Sequence, residues 1–218
     1  MNKAFIFDMD GVIVDSERTW RKYAKDFTEK LFGKELKLKI GSLIGVSVNS
    51  SYDKAKAFGF KMKREEFQGI FDKTAFRMYD MANITAGIDA LVGFLIRNNF
   101  KFGLVSSSAT SWISKVLQRL SFADKFESII SLNERPDLKP KPDPDGYVET
   151  MRNLGSEPSS TIILEDSNSG ITAAKASGAF TIAFTQNLVD GYQQINADSK
   201  ANNMEEVIEI IKDYSLRK

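Results

Sequence analysis

The chain has 218 residues, 42% hydrophobic and 27% charged, enough for one globular core and a smaller second unit. Lys+Arg 30 against Asp+Glu 29 leave a net charge of +1, so no basic field for nucleic acid and no acidic tail is present. Cys 0 and His 0 exclude disulfides, thiolate nucleophiles, Ser-His-Asp triads and zinc held by His or Cys, leaving carboxylates, lysine and hydroxyls, with magnesium or calcium as the fitting metals.

The first apolar run, Ala4-Phe5-Ile6-Phe7, has the composition of a buried parallel strand, and Asp8 ends it far short of a signal sequence or a membrane span. A cytoplasmic protein is expected. Residues 15–81 contain no convincing strand: 20–32 and 64–79 are charged and aromatic with helical spacing, and 41–51 is a polar, serine-rich interruption. This block reads as a helical cap inserted after the first strand, leaving 1–14 and 82–218 as the core. Residues 88–98 form an amphipathic helix with Ile88, Leu91, Val92, Leu95 and Ile96 on one face.

Further strands are expected at 100–105, 128–132, 161–164 and 180–184. Helices are expected at 109–120, behind a serine run that can cap it; at 167–177, stopped by Gly178; and at 205–214. Strands alternating with helices argue for an α/β fold with a doubly wound parallel sheet.

Four polar clusters lie at the carboxyl ends of these strands, where open α/β sheets gather ligands. Asp8-Met9-Asp10-Gly11 follows the first strand; alternation puts the two aspartates on one side, where they need a shared cation or a proton. One carboxylate can then attack phosphorus while the other handles the leaving-group proton. The plainer reading is an acidic turn with Gly11 supplying an unusual φ. The run Ser106-Ser107-Ser108 offers hydroxyls and helix amides to a phosphate oxygen, or simply an N-cap.

In Lys139-Pro140-Lys141-Pro142-Asp143 the prolines stiffen a loop that could hold a lysine to neutralise a phosphate and stabilise an aspartyl phosphate; the plainer reading is a solvated basic loop. Glu165-Asp166-Ser167 supplies Asp166 to a magnesium shell with Asp8 and Asp10, with Glu165 at the metal or orienting a bound water or Lys139; Asp166 or Ser167 can equally cap the next helix. Together these clusters make a complete set for phosphoryl transfer.

With Phe7-Asp8-Met9-Asp10-Gly11-Val12-Ile13-Val14-Asp15-Ser16-Glu17, the serine run, Lys139-Pro140-Lys141-Pro142-Asp143 and Leu164-Glu165-Asp166-Ser167 with Gly170-Ile171, the sequence resembles the haloacid dehalogenase superfamily over nearly its whole length. It is most similar to the β-phosphoglucomutase and phosphoglycolate phosphatase subgroup. The resemblance implies a Rossmann-like core with a helical cap. It further implies Asp8 as nucleophile, Asp10 as general acid/base, Ser106, Ser107 and Lys139 at the phosphate, and magnesium on Asp8, the Asp10 carbonyl and Asp166. Related dehalogenases lack the second aspartate, so Asp10 favours phosphate chemistry.

Two positions depart from the mutase pattern. Trp20 stands where those mutases carry a cap histidine, and Gly45-Val46-Ser47 is followed by Val48 rather than an arginine for a distal phosphate. The expectation is therefore a magnesium-dependent phosphomonoester hydrolase, with a phosphosugar mutase as the alternative. A small phosphorylated metabolite such as a sugar phosphate or phosphoglycolate is the expected substrate, with no nucleic-acid or membrane partner and a monomeric chain. Ser47, Asn49, Lys73 and Arg77 are the polar cap candidates for specificity.

Overall fold

In a computed structural model, residues 2–41, 48–189 and 191–216 are described. Their elements, in chain order, are β1 (Lys3–Phe7), α1 (Ser16–Ile40), α2 (Val48–Ala57), α3 (Arg64–Met81), α4 (Ile88–Arg97), β2 (Phe100–Ser106), α5 (Thr110–Leu117), β3 (Phe126–Ser131), α6 (Asp145–Leu154), β4 (Thr161–Glu165), α7 (Asn168–Ala176), β5 (Phe180–Phe184), β6 (Ser199–Ala201) and α8 (Met204–Leu216). Two compact units emerge: the described residues of Met1–Arg18 with Ala82–Lys218, and Thr19–Met81.

The strands form one parallel sheet in the order β3-β2-β1-β4-β5-β6. Side chains alternate along each strand, and β1 shows the consequence. Ala4 and Ile6 join Val105, Ile130, Ile163, Met151 and Ala173 under α6 and α7. Phe5 and Phe7 belong to the opposite face, with the Phe7 ring 4.6 Å from Phe5, 6.0 Å from Phe102 and 5.8 Å from Phe126. Within β1, Ala4, Phe5, Ile6 and Phe7 are fully buried, and each large one contributes about 1.5–3 kcal/mol. A strand covered on both faces must be continuously apolar, which is why β1 reads as an unbroken hydrophobic run.

The sheet grows outward from β1 in both directions, toward β2 and β3 and then toward β4, β5 and β6. The reversal opens a crevice at the carboxyl ends of β1 and β4, and β1 runs directly into Asp8. Residues 9–14 fold into a tight turn, with Ile13 and Val14 both donating to Met9 O. Val14 then bridges Ile84, so the chain leaves this unit and re-enters it through adjacent segments.

The helical unit has its own aromatic core. Trp20 lies 6.5 Å from Phe27 and from Phe71, Phe27 is 4.9 Å from Phe71, and Tyr52 is 5.2 Å from Phe67. The helix α1 breaks at Gly33, whose φ of 74° and ψ of 162° are non-helical.

Three elements lie outside the sequence expectations. In α6, Tyr147, Met151 and Leu154 make a narrow buried stripe spaced i, i+4, i+7 in an otherwise polar helix. The edge strand β6 is three residues long and too polar to register as apolar periodicity, and α2 begins inside the stretch read as an interruption.

Candidate active site

Asp8 is fixed at the crevice by its backbone, which donates to Leu164 O at 3.0 Å, and its side chain is buried. Lys141 reaches it from the loop between β3 and α6. Its Nζ donates to Asp8 Oδ1 at 2.5 Å, to Glu165 Oε1 at 2.6 Å and to Val105 O at 3.3 Å. Burial opposes the Lys141 charge, but Asp8 and Glu165 outweigh it and hold the ammonium well above its ordinary value.

Lys139, the lysine expected here from the sequence, is not in this cluster. Its side chain is 74% exposed and faces Asp143 at 3.5 Å, while its N–H donates to Asp145 Oδ2 at 3.0 Å. That bond to the first residue of α6, with Asp143 N–H donating to Pro140 O, turns the loop so that Lys141 points inward. Two lysines separated by one proline look alike in sequence; only the turn distinguishes them.

Glu165 is fully buried and accepts four hydrogen bonds. Lys141 and the Tyr147 hydroxyl (3.0 Å) reach Oε1, and the Ser167 N–H (2.9 Å) and hydroxyl (3.1 Å) reach Oε2. Its oxygens are thus taken by protein donors, which corrects the expectation of Glu165 as a metal ligand and makes it an anchor for Lys141. A Cβ at Gly170 would lie 1.6 Å from Glu165 Oε1, so the glycine in the Gly170-Ile171 motif makes room for this carboxylate. Burial first, and then the Glu165 charge, push the Tyr147 phenol well above its ordinary value.

Asp166, next in the chain, is also buried, yet no hydrogen bond to its carboxylate is found among the described residues. A Cβ at Gly11 would lie 1.9 Å from Asp166 Oδ2, and Gly11 has φ +77°, so this carboxylate rests against bare backbone in the turn after Asp8. Burial, Glu165 and Asp8 push Asp166 well above the carboxylate range. Burial pushes Asp8 upward too, against the pull of Lys141. Gln194 Nε2 pins the Asp166 backbone by donating to Asp166 O at 2.6 Å and Phe184 O at 2.7 Å, and Asn187 Nδ2 donates to Gly11 O at 3.1 Å.

Among the described residues, the buried carboxylates of Asp8, Glu165 and Asp166 outnumber the ammonium of Lys141 that faces them, and this excess fits a divalent cation. Among the described residues no three acidic side chains converge on one point. Magnesium is commonly held by one or two carboxylates with other oxygens completing its shell, which matches Asp8 and Asp166 with a backbone carbonyl such as that of Asp10. The Asp10 carboxylate itself is engaged by hydroxyls: Ser16 Oγ donates to Oδ1 at 2.7 Å and Ser108 Oγ to Oδ2 at 2.8 Å.

Ser106 is buried at the end of β2, where its Oγ accepts from the Ser108 N–H at 3.0 Å, and Ser107 is exposed. In the helical unit, Lys73 and Arg77 are exposed on α3, whereas Ser47 lies outside the described residues.

The family described as haloacid dehalogenase-like hydrolase matches residues 5–184. The chain belongs to this family. Among curated relatives of this hydrolase, it is 29% identical over 210 residues to the beta-phosphoglucomutase of Bacillus subtilis, covering 90% of this chain and 87% of that one. It is 28% identical over 178 residues to hexitol phosphatase B of Escherichia coli, covering 79% of each. Its fold superposes on a crystal structure of beta-phosphoglucomutase from Clostridium difficile with TM-score 0.74, at 24% identity, over 100% of this chain and 98% of that one. The expected α/β Rossmann-like class agrees with that likeness. No helix among the described residues of this hydrolase is long and apolar enough to cross a membrane.

Lys141, Tyr147, Ser108, Asn187 and Gln194 complete the cluster without having been singled out in the sequence. Lys141 and Ser108 lie within the motifs 139–143 and 106–108, so the pattern marks the neighbourhood and not the atom. Tyr147, Asn187 and Gln194 had no motif to mark them.

Proposed function

We propose that this enzyme is a magnesium-dependent phosphomonoester hydrolase that works through an aspartyl phosphate on Asp8. The observation that carries the reading is the buried contact between Asp8 and Lys141, with Asp166 and Asp10 at the same strand ends. An ammonium beside a nucleophilic carboxylate lets an anionic phosphate approach and stabilises charge on the transferring oxygens.

Asp8 attacks phosphorus and the bond from phosphorus to the leaving oxygen breaks. Asp10 gives that oxygen a proton. Asp10 then takes a proton from water, which attacks the aspartyl phosphate and releases inorganic phosphate with Asp8 restored. Asp8, Asp166 and the Asp10 carbonyl would hold magnesium, which supplies further neutralisation of the phosphoryl oxygens. Ser106 and Ser107 serve the phosphate from the end of β2.

Hydrolysis is preferred to transfer within a bisphosphate because Trp20 belongs to the aromatic core of the helical unit and its indole N–H can donate a hydrogen bond but cannot exchange a proton as an imidazole does. A sugar or polyol phosphate is the proposed substrate, in keeping with the relative named hexitol phosphatase B, and the helical unit 19–81 is assigned its selection.

Phosphate release from a panel of sugar, polyol and glycolate phosphates tests the reading, with magnesium and with chelator. Turnover should require magnesium and vanish in Asp8→Asn while the fold persists by circular dichroism. Undiminished turnover by Asp8→Asn would remove Asp8 as nucleophile. Isomerisation of a hexose 1-phosphate that depends on a bisphosphate activator would favour the mutase.

A further inference from the structure

The Asp10 carboxylate is held at both oxygens by two serines from different parts of the chain. Ser16 opens α1 and is 2% exposed; its N–H donates to Val14 O, which fixes it on the turn that carries Asp10. Ser108 comes from the loop after β2. Its own backbone is gripped twice, the N–H by Ser106 Oγ at 3.0 Å and the carbonyl by Ser131 Oγ at 2.7 Å. The two hydroxyls therefore meet Asp10 from supports that have little freedom to shift.

We propose that Ser16 and Ser108 are positioning residues that clamp the Asp10 carboxylate at both oxygens, setting the line along which it passes the leaving-group proton. The proposal rests on the phosphatase reading above. A carboxylate with one anchor can still rotate about its Cβ–Cγ bond, whereas anchors on both oxygens fix that torsion and the preceding one. Proton transfer falls off steeply with misplacement, so a fixed torsion contributes to rate rather than to substrate affinity. Hydroxyls suit the task because a serine can donate to a carboxylate and accept from a carboxylic acid, so the clamp persists through both halves of the reaction.

Ser131 extends the same device to β3. Because its hydroxyl holds the carbonyl of Ser108, the Asp10 clamp draws on the ends of β1, β2 and β3. None of the three serines needs to touch substrate to act in this way.

The test uses leaving groups. An alkyl phosphate, here the best sugar phosphate of the panel, needs its leaving oxygen protonated; p-nitrophenyl phosphate does not. In Ser108→Ala, kcat/KM for the alkyl ester is expected to fall about 10–100-fold, a share of the usual general-acid contribution, and for the nitrophenyl ester less than about threefold. KM should hold while kcat falls. Ser108→Thr, which keeps the hydroxyl, should recover most of the loss, and Ser16→Ala should repeat the selective loss.

Equal losses on both esters, or none, would overturn the clamp while leaving hydrolysis by Asp8 in place. Should the buried Ser16→Ala fail to fold, Ser108→Ala and Ser108→Thr decide alone. If the unaltered enzyme releases no phosphate from either ester in magnesium, the phosphatase reading falls and the clamp falls with it.

Discussion

The ammonium of Lys141 donates to Asp8 Oδ1 at 2.5 Å and is itself held by Glu165 at 2.6 Å, with both side chains of the Lys141–Asp8 pair less than a tenth exposed. Breaking such a pair from one side leaves the other charge buried without a partner, which costs more than the pair contributes when intact. Lys141→Gln keeps a donor but removes the charge. It should lower kcat/KM by about 10²–10³-fold, the scale of losing one donor to a developing oxyanion. Lys139→Ala, at a solvated position, should stay within about twofold. Steady-state kinetics on both variants separates the two lysines; the reverse ranking would put the wrong one at the phosphate.

Gly170 and Gly69 should respond to the same substitution in opposite directions. A methyl group at Gly170 would meet Glu165 Oε1 at 1.6 Å, whereas one at Gly69, inside α3, meets nothing within 4 Å. Gly170→Ala must displace a buried carboxylate that anchors Lys141, so it should destabilise the core by about 1–3 kcal/mol or more and depress turnover. Gly69→Ala only restricts the unfolded chain and improves helix propensity, for a gain of about 0.4–1 kcal/mol. Urea unfolding of the two variants reads both signs.

Tyr147→Phe separates hydrogen bonding from ring contact. The hydroxyl gives Glu165 one of its four donors, and the ring lies 5.3 Å from Lys141 Nζ. Phenylalanine keeps the ring and loses the donor, for an expected cost of about 1–2 kcal/mol in unfolding free energy. Turnover should fall far less than in Lys141→Gln, because three donors still orient Glu165. A loss as large as that of Lys141→Gln would mean that Tyr147 acts on the substrate rather than on Glu165.

What could be read from the sequence follows the periodicities. Strands β1, β2, β4 and β5 are buried over most of their length, so their central residues are mostly apolar, and such runs are visible by inspection. Asp8, Asp10 and Asp166 break the runs at strand ends, where no core residue would be charged without a purpose. The choice between Lys139 and Lys141 was not legible, because it depends on Asp145 capping a backbone amide across a turn whose helix, α6, shows only a thin apolar stripe. Tyr147, Asn187 and Gln194 act through one or two hydrogen bonds each, to partners well outside their own stretch of sequence. No local pattern marks a residue that does that.

Asp166 gives the sharpest test of the metal. Burial, Glu165 and Asp8 raise its folded pKa above the unfolded value of about 3.9. Between that value and its folded pKa, the native state binds more protons than the unfolded one, so this group makes stability fall as pH rises. In chelator-treated enzyme Asp166→Asn, similar in shape and uncharged, should therefore flatten the decline in melting temperature on going from mildly acidic to neutral pH. Magnesium needs the ionised carboxylates and binds only the folded site, so it should raise the melting temperature of the unaltered enzyme more at neutral than at acidic pH. That shift should be lost in Asp166→Asn and kept in Glu165→Gln, whose carboxylate is occupied by protein donors. A magnesium response that depended on Glu165 and not on Asp166 would overturn the assignment of the two neighbouring acids.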